Sequence, residues 1–350
     1  MARTVFIYEF LTAAGCWSLG DAAPGGSLLA EGRAMRDALA RDFAAMQDVD
    51  RLLLMHDERL PAPSLPKQQL QRVQSAADEQ RLFQQLAAEA TATVIIAPEF
   101  SQLLLQRVRW AEQVGATLLS PGSQLVELAS DKQRTADLLL NRGVRTPRGI
   151  SVSSDSATID ARLFPAVVKP NDGCGSQGVR QIESATELAT VDWSQSPSWR
   201  LEPFVPGIAV SAAIVGGPKG VVCLPPCEQR LSTEGHFVYQ GGRCPLPPNL
   251  AERATSLALA AARSLPKMCG WIGIDMVLGS AQNGASDFVI EINPRLTTSY
   301  IGLRCVCRQN LAELMWRVGQ GAAVEVLSPT RGVEFQADGT VREIPFVSSP

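Results

Sequence analysis

The sequence predicts an α/β chain in two parts: a small, doubly wound N-terminal lobe on a parallel sheet, then a larger α+β region. Three observations predict it. Over the first 120 residues short apolar strands alternate with helical patterns at the spacing of βαβ units. A strand ending in Lys169 runs into a glycine-rich loop, Gly173 to Gly178. Two strand-like segments, Trp271 to Leu278 and Asp287 to Arg295, flank Asn283-Gly284, a dipeptide suited to reversing the chain. At 350 residues the chain has room for two or three lobes.

Composition excludes several classes of function. Charged residues are 19% and the net charge is -3, so no general attraction to nucleic acid or an anionic membrane is expected. No apolar run is long enough to span a bilayer. The first residues read as a strand interrupted by Glu9, with no signal-peptide core, and a cytoplasmic location is expected. Eight cysteines are scattered without a paired C-x-x-C, which favours reduced thiols over a zinc site. Only five lysines stand against 27 arginines, so each lysine invites a reason.

In order, Thr4 to Phe10 is a strand and Leu11 to Ser27 a Gly- and Ala-rich loop. Ser27 is placed to cap a helix over Leu28 to Asp42. A substrate loop and a plain connection are equally good readings of that stretch; without G-x-G-x-x-G it is not a dinucleotide site. Strands at Arg51 to Met55, Thr93 to Ala97 and Leu118-Leu119, with helices at Ser75 to Ala90 and Phe100 to Val114, complete the lobe. Its binding loops belong at the strand carboxyl ends, near Glu9 and Pro98-Glu99.

Ser130 with Gln133 forms a capping-box pattern, so a helix should run to Asn141 with Lys132 in its first turn. A cation is disfavoured there by the helix dipole, so Lys132 is either an exposed lysine or one held for a ligand. Beyond Lys169, backbone N–H groups of Gly173, Gly175, Ser176 and Gly178 can close over an anion; a simple hairpin turn is the plainer reading. Trp199 to Gly207, with Glu202 and two prolines, reads as a rigid hinge between lobes. Strands at Ala209 to Val215 and Val221 to Pro226 follow, then a loop from Ser232 to Pro248 and a helix over Ala251 to Leu265. His236 in that loop has no Ser or Cys partner pattern.

Strand alternation in Asp287 to Arg295 sends Phe288, Ile290 and Ile292 one way and Glu291 and Asn293 the other. Folded on the Asn283-Gly284 turn, the hairpin brings Asp275 beside both. Two carboxylates and an amide make an all-oxygen set suited to Mg²⁺; the plainer reading is the wet face of an edge strand. Arg295 with Thr297, Thr298 and Ser299 offers a cation and hydroxyls to a phosphate or carboxylate. A helix at Asn310 to Val318 and two strands around Asp338-Gly339 close the chain.

The order of these pieces (Ser-Asp-Lys132, Lys169 before a glycine loop, Glu202-Pro-Phe-Val-Pro-Gly207, the Asp275 strand, then Glu291-Ile-Asn-Pro-Arg295) resembles the ATP-grasp superfamily of carboxylate–amine ligases. The likeness covers roughly residues 120 to 320. It implies a pre-ATP-grasp lobe at 1–120, a linker helix and ATP lid at 121–205, and a C-terminal lobe with the metal site at 206–350. It also implies Lys132, Lys169, Gly173, Gly175 and Ser176 on the ATP phosphates, with Glu202, Phe204 and Val205 on the adenine. Asp275, Glu291 and Asn293 would hold Mg²⁺ or Mn²⁺, and Lys169 and Arg295 would steady the transferred group. The ribose-binding acid often found after the hinge glycine falls at Ala209, a departure from the family pattern. The stretch from Glu291 to Leu303 and the early Leu-Ala-Glu31-Gly-Arg-Ala-Met are similar to the tyramine–glutamate ligase group of methanofuran biosynthesis. That implies an acid and an amine as partners, met near Glu9, Ser27, Arg295, Thr297 and Ser299, in a chain that forms dimers as relatives often do. Another amino-acid or peptide ligase, or a non-catalytic ATP-binding protein, would carry the same ATP motifs.

Overall fold

The computed structural model describes residues 3–20, 22–153, 159–233, 235–323 and 327–346. Asp21 of the first long loop and Glu234 of the Ser232–Pro248 loop lie outside them, as do Met1 and Ala2.

The N-terminal lobe is a four-stranded parallel sheet in the order Gln68–Val73, Val49–Asp57, Arg3–Glu9, Ala92–Ile96. Its central strands are apolar at consecutive positions because both faces are covered. Val5 and Ile7 face the helix Gly26–Ala45, which presents Met35, Leu39 and Phe43. Phe6 and Tyr8 face the helices Ala76–Glu89 and Leu103–Gln113. Two local expectations change. Leu118 makes a single bridge to Thr93 rather than a strand, and the polar Gln68–Val73 pairs at an edge where burial asks little of it.

The second sheet is antiparallel, Ile150–Val152, Trp199–Pro203, Ala166–Pro170, Arg180–Ile182, around Val152, Val168, Trp199 and Leu201. Trp199–Pro203 is thus a central strand, and the expected hinge begins only after it. Trp199, Arg200, Leu201 and Glu202 are all buried, which a hinge would not require.

The third sheet has eight strands, with Ile208–Gly217 between Gly270–Leu278 and Cys227–Leu231. Tyr239–Cys244, read from sequence as loop, pairs with Cys227–Leu231 and Gly332–Phe335. His236 in the neighbouring loop is exposed. The helix Gly26–Ala45 is shared between lobes: its core continues through Tyr300, Leu303, Trp316 and Phe335 of the C-terminal part. Asp42 of that helix accepts from Tyr300 Oη at 2.7 Å and pairs with Arg304. No helix among the described residues is long and apolar enough to cross a membrane.

Candidate active site where three sheets meet

The Asn283-Gly284 turn forms, with Gly284 at φ 72, and the strands Gly270–Leu278 and Phe288–Asn293 pair antiparallel. Asp275 lies opposite Glu291, and Gly273 opposite Asn293. The strict alternation expected of the second strand fails. Asp275 pairs with Glu291 but Met276 pairs with Val289, so Ile290 is the extra residue of a β-bulge. Val289 and Ile292 therefore share the buried face with Ile274 and Met276. The bulge also aims the Ile290 carbonyl at Lys169 Nζ, 3.3 Å away.

Asn293 donates its amide to Asp275 Oδ2 at 2.9 Å, and Gln229 donates to Oδ1 at 2.9 Å. Burial, then the neighbouring Glu291 charge, push the Asp275 carboxyl up to about 7. A carboxylate pair under that pressure favours a cation beside it, and the hard oxygen donors suit Mg²⁺. The residues present fit the ion.

Lys132 is 8% exposed, not a surface lysine. Its Nζ lies 3.0 Å from Glu291 Oε1 and donates to the Gly173 carbonyl at 2.5 Å. Burial works against its charge, but Glu291 prevails and holds the ammonium above its ordinary pKa. The helix Lys132–Asn141 is capped by Asp131, which accepts from Arg134 N at 2.9 Å, rather than by Ser130 with Gln133. The Gln133 side chain is engaged elsewhere: its oxygen takes Arg200 and its amide takes Asp137. The amides of Lys132 and Gln133 are met by Asn171, which ties the helix start to the glycine loop.

Lys169 Nζ pairs with Glu202 Oε1 at 2.5 Å, both residues 3% exposed, and Arg200 Nε takes the other Glu202 oxygen at 2.8 Å. Beyond this chain of charges, the Phe204 ring stacks on Phe237 with centroids 6.2 Å apart. Val205 follows in the half-buried turn to the next strand. In the glycine loop Gly175, Ser176 and Gly178 hold φ of 63°, 59° and 70°, the left-handed region that glycine adopts freely. A side chain added at Gly175 would stand 3.8 Å from Leu28, so the loop reaches the first helix.

The other expected positions are spread around this centre. Glu9 is buried and turned onto its own loop, accepting from Thr12 N at 2.9 Å and Leu11 N at 3.1 Å. Burial raises its pKa against those hydrogen bonds. Ser27 is exposed and does not cap its helix, which starts at Gly26 after an extended Gly25. Thr297 and Ser299 share a hydrogen bond of 2.9 Å, and Thr297 also accepts from Trp271 Nε1 at 3.1 Å. Thr298 is taken by Glu31. The hydroxyls are thus spent within the protein. Arg295 Nε lies 2.9 Å from Glu99 Oε1. Sequence reasoning placed a loop at Glu99 but missed the pair, and missed Gln229, Arg200 and Phe237. The alternation of Arg200 and Glu202 with Leu201 was the one signal available for Arg200.

Three sheets, a glycine loop tied to Lys132, a buried Lys169 and a carboxylate hairpin are the parts of an ATP-grasp fold. Residues 129–299 match the ATP-grasp domain and residues 51–126 the pre ATP-grasp 3 domain. The chain belongs to the ATP-grasp superfamily and is one of its carboxylate–amine ligases, enzymes that form C–N bonds.

Among particular proteins, it is similar to a tyramine–L-glutamate ligase of Methanocaldococcus jannaschii, 23% identical over 89% of each chain. It is 32% identical to a D-alanine–D-alanine ligase of Caulobacter sp. over 42% of this chain and 50% of that one. It thus spans about half the length of that second relative. A crystal structure of an ATP-grasp superfamily protein from Archaeoglobus fulgidus has the same fold, with a TM-score of 0.71, 20% identity, and 96% and 92% of the two chains covered.

Proposed function

We propose that the chain joins the γ-carboxylate of L-glutamate to the amine of tyramine or tyrosine, through an acyl-phosphate made with Mg·ATP. The observation that carries this reading is the convergence of Asp275, Glu291 and Asn293 on one face, with Lys132 on Glu291 and Lys169 on the carbonyl next to it. The choice of acid and amine rests on the relatives named tyramine–L-glutamate ligase. A methanofuran-like one-carbon cofactor is the product pathway that fits such an amide.

In this reading Lys132, Lys169 and the Gly173–Gly178 loop hold the ATP phosphates. Glu202 and the Phe204–Val205 segment meet the adenine. Asp275, Glu291 and Asn293 hold Mg²⁺, or Mn²⁺, which neutralises phosphate charge when bound. Arg295 steadies the group being transferred; Thr297 and Ser299 would reach it only by giving up the bonds they make to Trp271 and each other. Phosphoryl transfer depends chiefly on positioning and charge, so no protein nucleophile is needed.

The test is ADP release with Mg·ATP across pairs of acids (L-glutamate, other L-amino acids, D-alanine) and amines (tyramine, tyrosine), with products weighed by mass spectrometry. ADP and the glutamyl amide appear together, and Asp275→Asn or Glu291→Gln removes both. Turnover with other pairs but not these would replace the substrates. Nucleotide binding without turnover by any pair would leave a binding protein.

A further inference from the structure

Three carboxylates gather at the carboxyl end of the parallel sheet, where open α/β sheets bind ligands. Glu9 is satisfied by Thr12 and Leu11, and Asp57 by Arg59 at 2.6 Å. Glu99 differs. It is 4% exposed, and its one close partner given by distance is the Arg295 guanidinium, Nε to Oε1 at 2.9 Å, an ion pair. Beyond that ion pair, neither Glu99 oxygen nor Arg295 Nε has a well-aligned hydrogen-bond partner among the described residues. A buried carboxylate held by one ion pair and no aligned donor keeps acceptor capacity that a ligand can satisfy.

Its backbone setting supports the same conclusion. One residue beyond Glu99, past Phe100, Ser101 and Gln102 hold φ of 52° and 57°, two successive non-glycine residues in the left-handed region. Ser101 N donates to Asp172 Oδ2 at 3.2 Å, so this strained turn touches the glycine loop. Arg295 contacts Glu99, and Lys132 and Cys174 are near enough to feel its charge, which sets Glu99 beside the proposed site of phosphoryl transfer.

We infer that Glu99 is the specificity residue for the α-ammonium of the amino-acid substrate, exchanging Arg295 for it when the substrate enters. The exchange balances charge. An amino acid brings a cation for Glu99 and a carboxylate that can meet the released Arg295. An acid without the amino group would take Arg295 and leave Glu99 buried and unpaired, a penalty that acts as rejection. This inference rests on the ligase reading above.

Hydroxylamine tests it, because it captures the activated acid as a hydroxamate without any amine substrate. The wild type, with Mg·ATP and hydroxylamine, should prefer L-glutamate over glutarate, the same acid lacking its amino group, by about 100-fold in kcat/KM. In Glu99→Gln that preference should fall to within about 10-fold of unity. Glu99→Asp, which keeps the charge, should retain part of it. An unchanged preference in Glu99→Gln, or an equal loss on both acids, would make Glu99 an interlobe strut and overturn the inference. If the wild type yields hydroxamate from other acids but shows no such preference, Glu99 loses this role while the ligase class stands. If it yields none from any acid, the ligase reading fails, and this inference with it.

Discussion

Lys169 and Glu202 sit on neighbouring antiparallel strands of the small central sheet, ion-paired at 2.5 Å, with Arg200 on the far carboxylate oxygen. Two cations thus share one buried anion. Removing Lys169 leaves Glu202 still partnered, so Lys169→Met should cost at the low end for a broken buried pair, about 3 kcal/mol. Glu202→Ala strands two cations and should cost more, about 4–5 kcal/mol. Urea unfolding of both variants measures the order; equal losses would mean that Arg200 does not hold Glu202 in solution.

Asp275 gives the site a pH signature. Its carboxyl is raised to about 7, well above the ordinary aspartate range that the unfolded chain keeps, so the folded protein binds a proton that the unfolded chain has released. Its contribution to stability is therefore present below the unfolded pKa and fades as pH rises to about 7. The metal-free wild type should lose stability relative to Asp275→Asn across this window, and the difference should be flat above it. Thermal unfolding from pH 4 to 8 in chelator shows the trend; a difference that grows as pH falls would reverse the sign.

In the N-terminal lobe Arg107 is fully buried, with Nη2 at 2.8 Å and 2.9 Å from the two Glu79 oxygens, and Tyr8 bonds the same carboxylate. Arg107→Ala should destabilise by about 3–5 kcal/mol, since it leaves Glu79 uncompensated. The double variant Arg107→Met with Glu79→Leu should recover most of that loss. Denaturant unfolding distinguishes them.

Gly32 allows helix Gly26–Ala45 to approach Glu9: a Cβ there would stand 2.4 Å from Glu9 Oε1. Gly32→Ala should displace that carboxylate and cost about 1–3 kcal/mol despite alanine's better helix propensity. A stabilised variant in thermal unfolding would show that the loop moves aside freely.

Much of this arrangement is legible in the residues. The parallel lobe follows from short apolar strands alternating with helical patterns, though not its polar edge strand Gln68–Val73, and the metal-like face from Asp275, Glu291 and the Asn-Gly turn. Alternation alone could not reveal the bulge at Ile290, because one extra residue reverses every face behind it and the composition reads the same. Capping patterns misled at Ser130 and Ser27. At the first, Asp131 and a distant Arg200 competed for the same groups; at the second, a glycine-led start made a side-chain cap unnecessary. The Glu99–Arg295 pair joins residues almost two hundred positions apart, and no local pattern encodes it.

The Lys132 ammonium bonds the Gly173 carbonyl while its own backbone amide bonds Asn171, so one residue fastens the glycine loop at both ends of its approach. The charge that makes this latch is the one proposed above to hold an ATP phosphate. On that proposal, nucleotide entry would be a swap of partners rather than the filling of a ready space, and measured affinity would report a difference between two bonded states. A variant that merely loosens the latch, such as Asn171→Ala, would bind nucleotide faster and release it faster, with the equilibrium moving less than either rate.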